Sequence, residues 1–267
     1  MTVSILGSGW LGLPLAKDLI KQGHNVKLST RSQGRLPDLV NISASPYIVD
    51  IEALTDDIEA LTDDIQAFLS ADILIINITS KDINAYRQLI KQVEKSTLKQ
   101  VLFISSTSVY KTVDSVVTED DGMENPASVL YQIEQLFCLN KHFQTTILRL
   151  SGLIGYSRHP GRFFKNSKIV QQPDSAVNLI HRDDCIGIIN SIIEQAEWGE
   201  VFNACATMHP TKREFYTYAR VSLGLIAPEF NEKTANVMNK IVCNDKVINK
   251  LGYNFSYPDL MTMYTLS

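Results

Sequence analysis

The sequence predicts an α/β fold, a doubly wound parallel sheet with a small, mainly C-terminal lobe, and three observations carry this. Short β-type runs alternate with helical patterns through the first 150 residues, the order that right-handed strand–helix–strand units require. Two of those runs, Ile73-Leu74-Ile75-Ile76 and Val101-Leu102-Phe103-Ile104, are apolar throughout, as strands covered on both faces are. An apolar run over 3–6 also passes through Gly7-Ser8-Gly9-Trp10-Leu11-Gly12 into an amphipathic segment that ends near Gln22.

Taken in order, the first strand is Val3–Leu6 and the first helix spans about 10–22. Gly7 permits a tight turn between them, Gly9 lets a backbone approach phosphate with no side chain in between, and Gly12 lets the helix pack on the strand. The helix start offers free N–H groups to an anion, so the segment reads as a dinucleotide pyrophosphate site. Strands follow at Asn25–Ser29, Tyr47–Val49, Ile73–Ile78, Val101–Ser105 and Thr145–Leu150, with helical patterns near 52–70, 83–96 and 126–140. Within the second helical region Ile51-Glu52-Ala53-Leu54-Thr55-Asp56-Asp57 recurs as Ile58-Glu59-Ala60-Leu61-Thr62-Asp63-Asp64. Seven residues are almost two helical turns, so the copy moves an apolar face by only about 20°. Ile51, Leu54, Ile58, Leu61, Ile65 and Phe68 can share one stripe, which predicts a lengthened helix without a direct chemical role. After Leu150 the pattern loosens around Gly152, Gly155, Pro160 and Gly161. The chain therefore divides at 150 into a nucleotide-binding domain, 1–150, and a mixed region, 151–267, that completes the sheet and forms the smaller lobe.

The totals bound the function. The chain has 267 residues, 45% hydrophobic and 20% charged, with a formal charge of −4, the composition of an ordinary globular protein. Without a Lys/Arg-rich run, nucleic acid is not an expected partner. No apolar run approaches 18 residues and the start lacks a basic leader pattern, so the expectation is a cytoplasmic protein with no membrane association. Cys138, Cys185, Cys205 and Cys243 are scattered without metal-ligand spacing, which predicts reduced thiols and no metal site.

Four ordered motifs carry a family resemblance: the glycine turn, Phe103-Ile104-Ser105-Ser106-Thr107-Ser108-Val109-Tyr110, Leu148-Arg149-Leu150-Ser151-Gly152-Leu153-Ile154-Gly155, and Val177-Asn178-Leu179-Ile180-His181-Arg182-Asp183-Asp184. With these the chain resembles an extended short-chain dehydrogenase/reductase, and more narrowly the atypical NAD(P)-binding epimerase/dehydratase-like group. The resemblance implies a Rossmann domain and a lobe that closes over a small-molecule substrate, in a monomer or an oligomer. It sets Gly7, Ser8, Gly9, Trp10, Leu11 and Gly12 around the cofactor, Asp50 near the adenine, Asn77, Ile78 and Thr79 along the cofactor, and Ser105 and Ser106 toward the nicotinamide. Asp50 as a helix cap is the alternative. The second strand ends not in an acid but in Thr30-Arg31-Ser32. A guanidinium flanked by hydroxyls suits a 2′-phosphate, which favours NADP over NAD.

The family's usual chemistry takes a Ser or Thr, a Tyr and a Lys four residues after the Tyr. Ser106 matches the first. Counting forward from Ser106 makes Tyr131 the tyrosine, but Gln135 then stands where the lysine belongs. Matching Ile133-Glu134-Gln135-Leu136-Phe137 to the family's later glutamate instead moves the tyrosine slot to about Pro126, and the length of chain before Thr145 favours that register. A tyrosine without its lysine is poorly prepared as a base: with a pKa of about 10, ionising it at pH 7 costs about 4 kcal/mol. Arg158 and Arg162 suit an anionic group of a substrate, and His181 titrates in the right range for proton transfer. Two functions follow: an NADP-dependent oxidoreductase, epimerase or dehydratase acting on a small polar, sugar- or nucleotide-linked substrate, or a non-catalytic NAD(P)-binding sensor or regulatory protein.

Overall fold

The computed structural model describes residues 1–54, 59–164, 169–233 and 238–264, with the side chains of 59–63 outside that description. In chain order the elements are β1 (Thr2–Leu6), α1 (Gly12–Lys21), β2 (Asn25–Thr30), α2 (Leu36–Val40), β3 (Ser45–Ile48), α3 (Glu59–Leu69), β4 (Ile73–Ile76), α4 (Ile83–Glu94), β5 (Gln100–Ser106), β6 (Val116–Val117), α5 (Val129–Cys138), β7 (Gln144–Leu150), β8 (Gly152–Ile154), β9 (Leu179–His181), α6 (Arg182–Gln195), β10 (Val201–Ala204), α7 (Lys212–Val221), β11 (Ile241–Val242) and α8 (Asp245–Leu251).

Seven strands form one sheet in the order β10-β7-β5-β4-β1-β2-β3. The pairs β1–β2, β1–β4, β2–β3 and β4–β5 are parallel. From β1 the chain runs outward through β2 to β3, then crosses back to β4 and continues the other way. The order reverses between β1 and β4, the place where doubly wound sheets leave a crevice outside the carboxyl ends of their strands. Every residue of β4 is buried, as its unbroken apolar sequence predicts.

Two compact units divide the chain, each in several segments: 1–105, 125–148 and 192–201 in the first, and 106–124, 149–191 and 202–267 in the second. The sequence reading cuts the chain once, at 150. The structure assigns 106–124 to the second unit because the chain leaves the sheet after β5 and pairs β6 with β11.

The first unit's core joins Leu6, Val49, Phe68, Tyr86, Phe103 and Phe137, with the Phe103 and Phe137 rings 5.2 Å apart. Each such side chain contributes about 1.5–3 kcal/mol relative to exposure. Helix α1 buries Leu15, Ala16 and Leu19. Asp82 caps α4 by accepting the N–H groups of Asn84 and Ala85, and Ser128 caps α5. In the second unit Ile154, Val177, Leu179, Phe215 and Leu260 form a separate core.

The duplicated heptad does not form one lengthened helix. Residues 51–53 make a single 3-10 turn capped by Asp50, and α3 begins at Glu59. Ile51, Leu54, Ile65 and Phe68 join the same core, as the shared stripe requires. Ile58 and Leu61 lie outside the described side chains. Among the described residues no helix is long and apolar enough to cross a membrane.

Candidate functional site

In the first unit a cleft of about 710 Å³ opens over the carboxyl ends of β1, β2, β3 and β4. It brings together Gly7, Ser8, Gly9, Thr30, Arg31, Ser32, Asp50, Asn77, Ile78 and Thr79 from the sequence reading. Trp10, Leu11, Gly12 and Ser105 are not on its lining.

The three glycines answer to different constraints. Gly7 has φ +106° and a Cβ there would lie 2.4 Å from the Asn77 carbonyl oxygen. Its N–H donates to Ser29 Oγ at 2.9 Å, so the turn is fixed by β2 and β4 together. A Cβ on Gly12 would lie 1.9 Å from the Gly7 carbonyl oxygen, which makes it the packing glycine between turn and helix. Gly9 is different: a Cβ there meets nothing within 4 Å. The fold itself would tolerate a side chain at Gly9, and the space it would fill belongs to the cleft. Helix α1 starts without a side-chain cap and without an acid in its first turn, which leaves its positive end available to an anion. Glycine turn, open Gly9 and uncapped helix together fit a dinucleotide pyrophosphate.

Around the rim, Arg31 and Ser32 are exposed at the end of β2, and the Ser32 N–H donates to Thr30 Oγ1 at 3.2 Å. Arg35 also lines the cleft and donates from Nη2 to the Ser8 carbonyl at 3.1 Å. Sequence reasoning missed Arg35, although its place four residues after Arg31 in the same loop was a usable signal. Asp50 lines the cleft while its Oδ1 accepts the Glu52 N–H at 3.1 Å, so it is a cap as well as a cleft residue. Glu52, Ser80 and Lys81 also line the cleft, and none was singled out in the sequence as a site residue.

Ser105 turns away from the cleft. Its hydroxyl donates to Glu134 Oε1 at 2.5 Å, and both residues are buried. A buried carboxylate needs such a donor, which accounts for the Ile-Glu-Gln signature in α5. On the same helix Tyr131 is half-buried at the third position, with its N–H donating to Ser128 Oγ at 3.4 Å, and Gln135 follows one turn later. Helix α5 contains no lysine. Lys141 lies with Lys99 and Gln100 in a second depression, at the amino end of β5, the pole of this unit opposite the cleft.

In the second unit Ser106 caps a 3-10 turn over 107–109, accepting the Ser108 N–H at 3.1 Å. Its own O–H stays available to donate. Beyond it Tyr110 is buried, donating to Asn203 Oδ1 at 2.8 Å and accepting from Arg149 Nη1 at 2.8 Å. Arg149 also pairs with Glu124 at 2.6 Å. Burial pushes the Tyr110 phenol up to about 12, against the opposing pull of Arg149.

The three residues expected near a substrate are also in this unit. His181 is only 6% exposed, its ring lies 4.0 Å from that of Tyr257, and its Nδ1 accepts the Asp183 N–H at 3.2 Å. A Cβ on Gly155 would come within 2.3 Å of its Nε2. Burial lowers the His181 pKa, with Arg182 adding to this and Asp183 and Asp184 opposing it. The imidazole fills a slot between backbone and aromatic ring, which is a packing role. Asp184 is fully buried and accepts from Tyr253 Oη and the N–H groups of Ser256 and Tyr257, tying down the 253–257 segment. Arg158 and Arg162 are both exposed. Among the described residues no group of three or more His, Cys, Asp or Glu side chains could hold a metal.

Residues 7–173 match the NAD(P)H-binding family, and the chain belongs to it; its fold is that of the extended, epimerase/dehydratase-like short-chain dehydrogenase/reductases. Protein YeeZ of Escherichia coli strain K12 is 31% identical over 272 residues, covering 98% of both chains. Two solved structures show the same fold. One is UDP-glucuronic acid 4-epimerase from Bacillus cereus in complex with NAD, 18% identical, with a TM-score of 0.74 over 98% of this chain and 95% of that one. The other is a human epimerase family protein with NADPH, 16% identical, with a TM-score of 0.70 over 98% of this chain and 97% of that one.

Proposed function

We propose that the chain binds NADP(H) in the cleft of its first unit and is an oxidoreductase, epimerase or dehydratase acting on a small polar, sugar- or nucleotide-linked substrate in the cytoplasm. The observation that carries this reading is the pairing of an open glycine turn at the start of α1 with two guanidiniums, Arg31 and Arg35, on the rim of the same cleft. Ser8, Gly9 and the α1 N-terminus would hold the pyrophosphate. Arg31 with Thr30 and Ser32 would bind the 2′-phosphate, where charge-assisted hydrogen bonds contribute about 1.5–3 kcal/mol each. Arg35, held against the Ser8 carbonyl, adds positive charge without adding mobility. Asp50, Asn77, Ile78 and Thr79 would flank the adenosine. Held by these residues, a nicotinamide cofactor would provide hydride-transfer chemistry. Ser106 would donate a hydrogen bond to the reacting oxygen, and exposed Arg158 and Arg162 would meet an anionic group of the substrate.

A second reading is an NAD(P)-binding sensor without catalysis. The absence of lysine from α5, whichever register sets the tyrosine slot, favours it. Incubation with NADPH, NADP or NAD and either UDP-glucose or UDP-glucuronic acid, with cofactor redox state followed optically and the sugar-nucleotide products, which an epimerase or dehydratase forms with no net cofactor turnover, followed by chromatography, separates the two. The enzyme reading expects turnover that Ser106→Ala lowers by about 100-fold or more, with NADPH affinity intact. Turnover unchanged by Ser106→Ala contradicts the role given to that hydroxyl, and NADPH binding with no turnover favours the sensor.

A further inference from the structure

Glu52 and Ser80 stand on the loops after β3 and β4, strands that the sheet separates by β1 and β2. At about 4.8 Å per strand, three intervals set those strand ends roughly 14 Å apart. The two loops meet nevertheless: Ser80 Oγ donates to Glu52 Oε1 at 2.6 Å. Both partners are held from behind. Asp50 accepts the Glu52 N–H at 3.1 Å. Ser80 Oγ accepts the Asp82 N–H at 3.2 Å, and the Ser80 carbonyl accepts the hydroxyl of fully buried Tyr86 at 3.4 Å. One hydrogen bond thus joins two loops into a continuous wall beside the ends of β1 and β2, and both residues line the cleft.

A charge-assisted bond of this length is strong locally. Its Glu52 end is exposed, so it adds little to global stability. What it fixes is the distance between the two loops. The duplicated heptad bears on the same point. Its first copy, beginning Ile51-Glu52, forms the 3-10 turn on the cleft, whereas the second copy runs into α3, which starts at Glu59.

We propose that Glu52 and Ser80 form a clasp that positions the adenosine-side wall of the nucleotide cleft, so that the first copy of the heptad belongs to the ligand site and the second to helix α3. The clasp rests on the reading that this cleft binds NADPH. Its members are positioning residues, acting through the loops they join.

Calorimetric titration of NADPH and of adenosine 2′,5′-bisphosphate into the full chain tests it, with thermal unfolding of the same proteins alongside. Glu52→Ala and Ser80→Ala should each weaken both ligands by about three- to ten-fold, while the unliganded unfolding midpoint stays within about 2 °C. Glu52→Gln and Ser80→Thr, which keep an acceptor and a hydroxyl, should retain most of the affinity. The double alanine variant should lose no more than either single one, because one bond is removed once. Glu59→Gln, the matching residue of the second copy, should bind like the parent. Unchanged affinity in both alanine variants, with the parent binding NADPH, overturns the clasp and leaves the nucleotide site standing. A loss in Glu52→Ala without one in Ser80→Ala also overturns it, in favour of direct contact by Glu52. A parent that binds neither ligand overturns the nucleotide reading, and the clasp falls with it.

Discussion

At the scale of single residues, chemical type and physical task part company at several positions. His181 is the clearest. An imidazole beside two acids reads as a proton-transfer group, yet its ring is packed against Tyr257 and the Gly155 backbone. Burial holds its pKa below the usual value in the folded state. The pH dependence follows from that sign. Above about pH 6.5 the imidazole is neutral in both folded and unfolded chains, and its contribution is fully present. As pH falls below that value the unfolded chain takes up a proton that the folded one resists, so stability is lost down to the folded-state pKa. Urea unfolding at about pH 7.5 and about pH 5.5 should therefore show a larger drop for the parent than for His181→Gln. Equal drops would show that His181 titrates as freely when folded as when unfolded. Ser105 teaches the same lesson: its hydroxyl belongs to Glu134, and no spacing rule shows which of two adjacent serines turns inward.

At the scale of elements, the junction of β1 with α1 separates a folding constraint from a binding one. A Cβ on Gly12 would strike the Gly7 carbonyl, whereas one on Gly9 would meet nothing within 4 Å. Gly12→Ala should cost about 3 kcal/mol or more in folding stability, because the intruding methyl meets backbone rather than a flexible side chain. Gly9→Val should leave stability within about 1 kcal/mol of the parent and weaken NADPH at least ten-fold by filling the space intended for phosphate. Chemical denaturation and titration of the two variants check this pair; a destabilised Gly9→Val with normal binding would reverse the assignment. This junction was fully legible in the sequence, because glycine spacing, strand and helix are all local. The heptad repeat was less so. Its period permits one continuous helix, but Asp50 captures the Glu52 N–H and closes a 3-10 turn first. The turn ends where Leu54 turns extended, at ψ 121°, which leaves Glu52 on the cleft rather than on the surface of a longer helix.

At the scale of the whole molecule, alternation of strands and helices was enough to predict the doubly wound sheet, whereas its strand order and the reversal between β1 and β4 emerge only in the structure. The segmentation into units was not readable, because it depends on 106–124 leaving the sheet to pair with residues 241–242, a contact across more than a hundred positions. The cleft was legible where a residue stands at or just beyond the end of a strand, as Thr30, Arg31, Asp50 and Asn77 do. It was illegible where two loops fold back to meet, as at Glu52 and Ser80. On the catalytic side neither register gives α5 the family's lysine, and in the second unit His181 and Asp184 are held in packing and hydrogen-bonding contacts. Calorimetric titration of NADPH and NADH into the parent, Arg31→Ala and Arg35→Ala chains tests the cofactor assignment. NADPH should bind more tightly than NADH by about ten-fold or more, with that preference largely lost in Arg31→Ala and reduced in Arg35→Ala. Equal binding of both cofactors, unaffected by either substitution, would contradict the assignment of NADP, and no binding of either would contradict the nucleotide site itself.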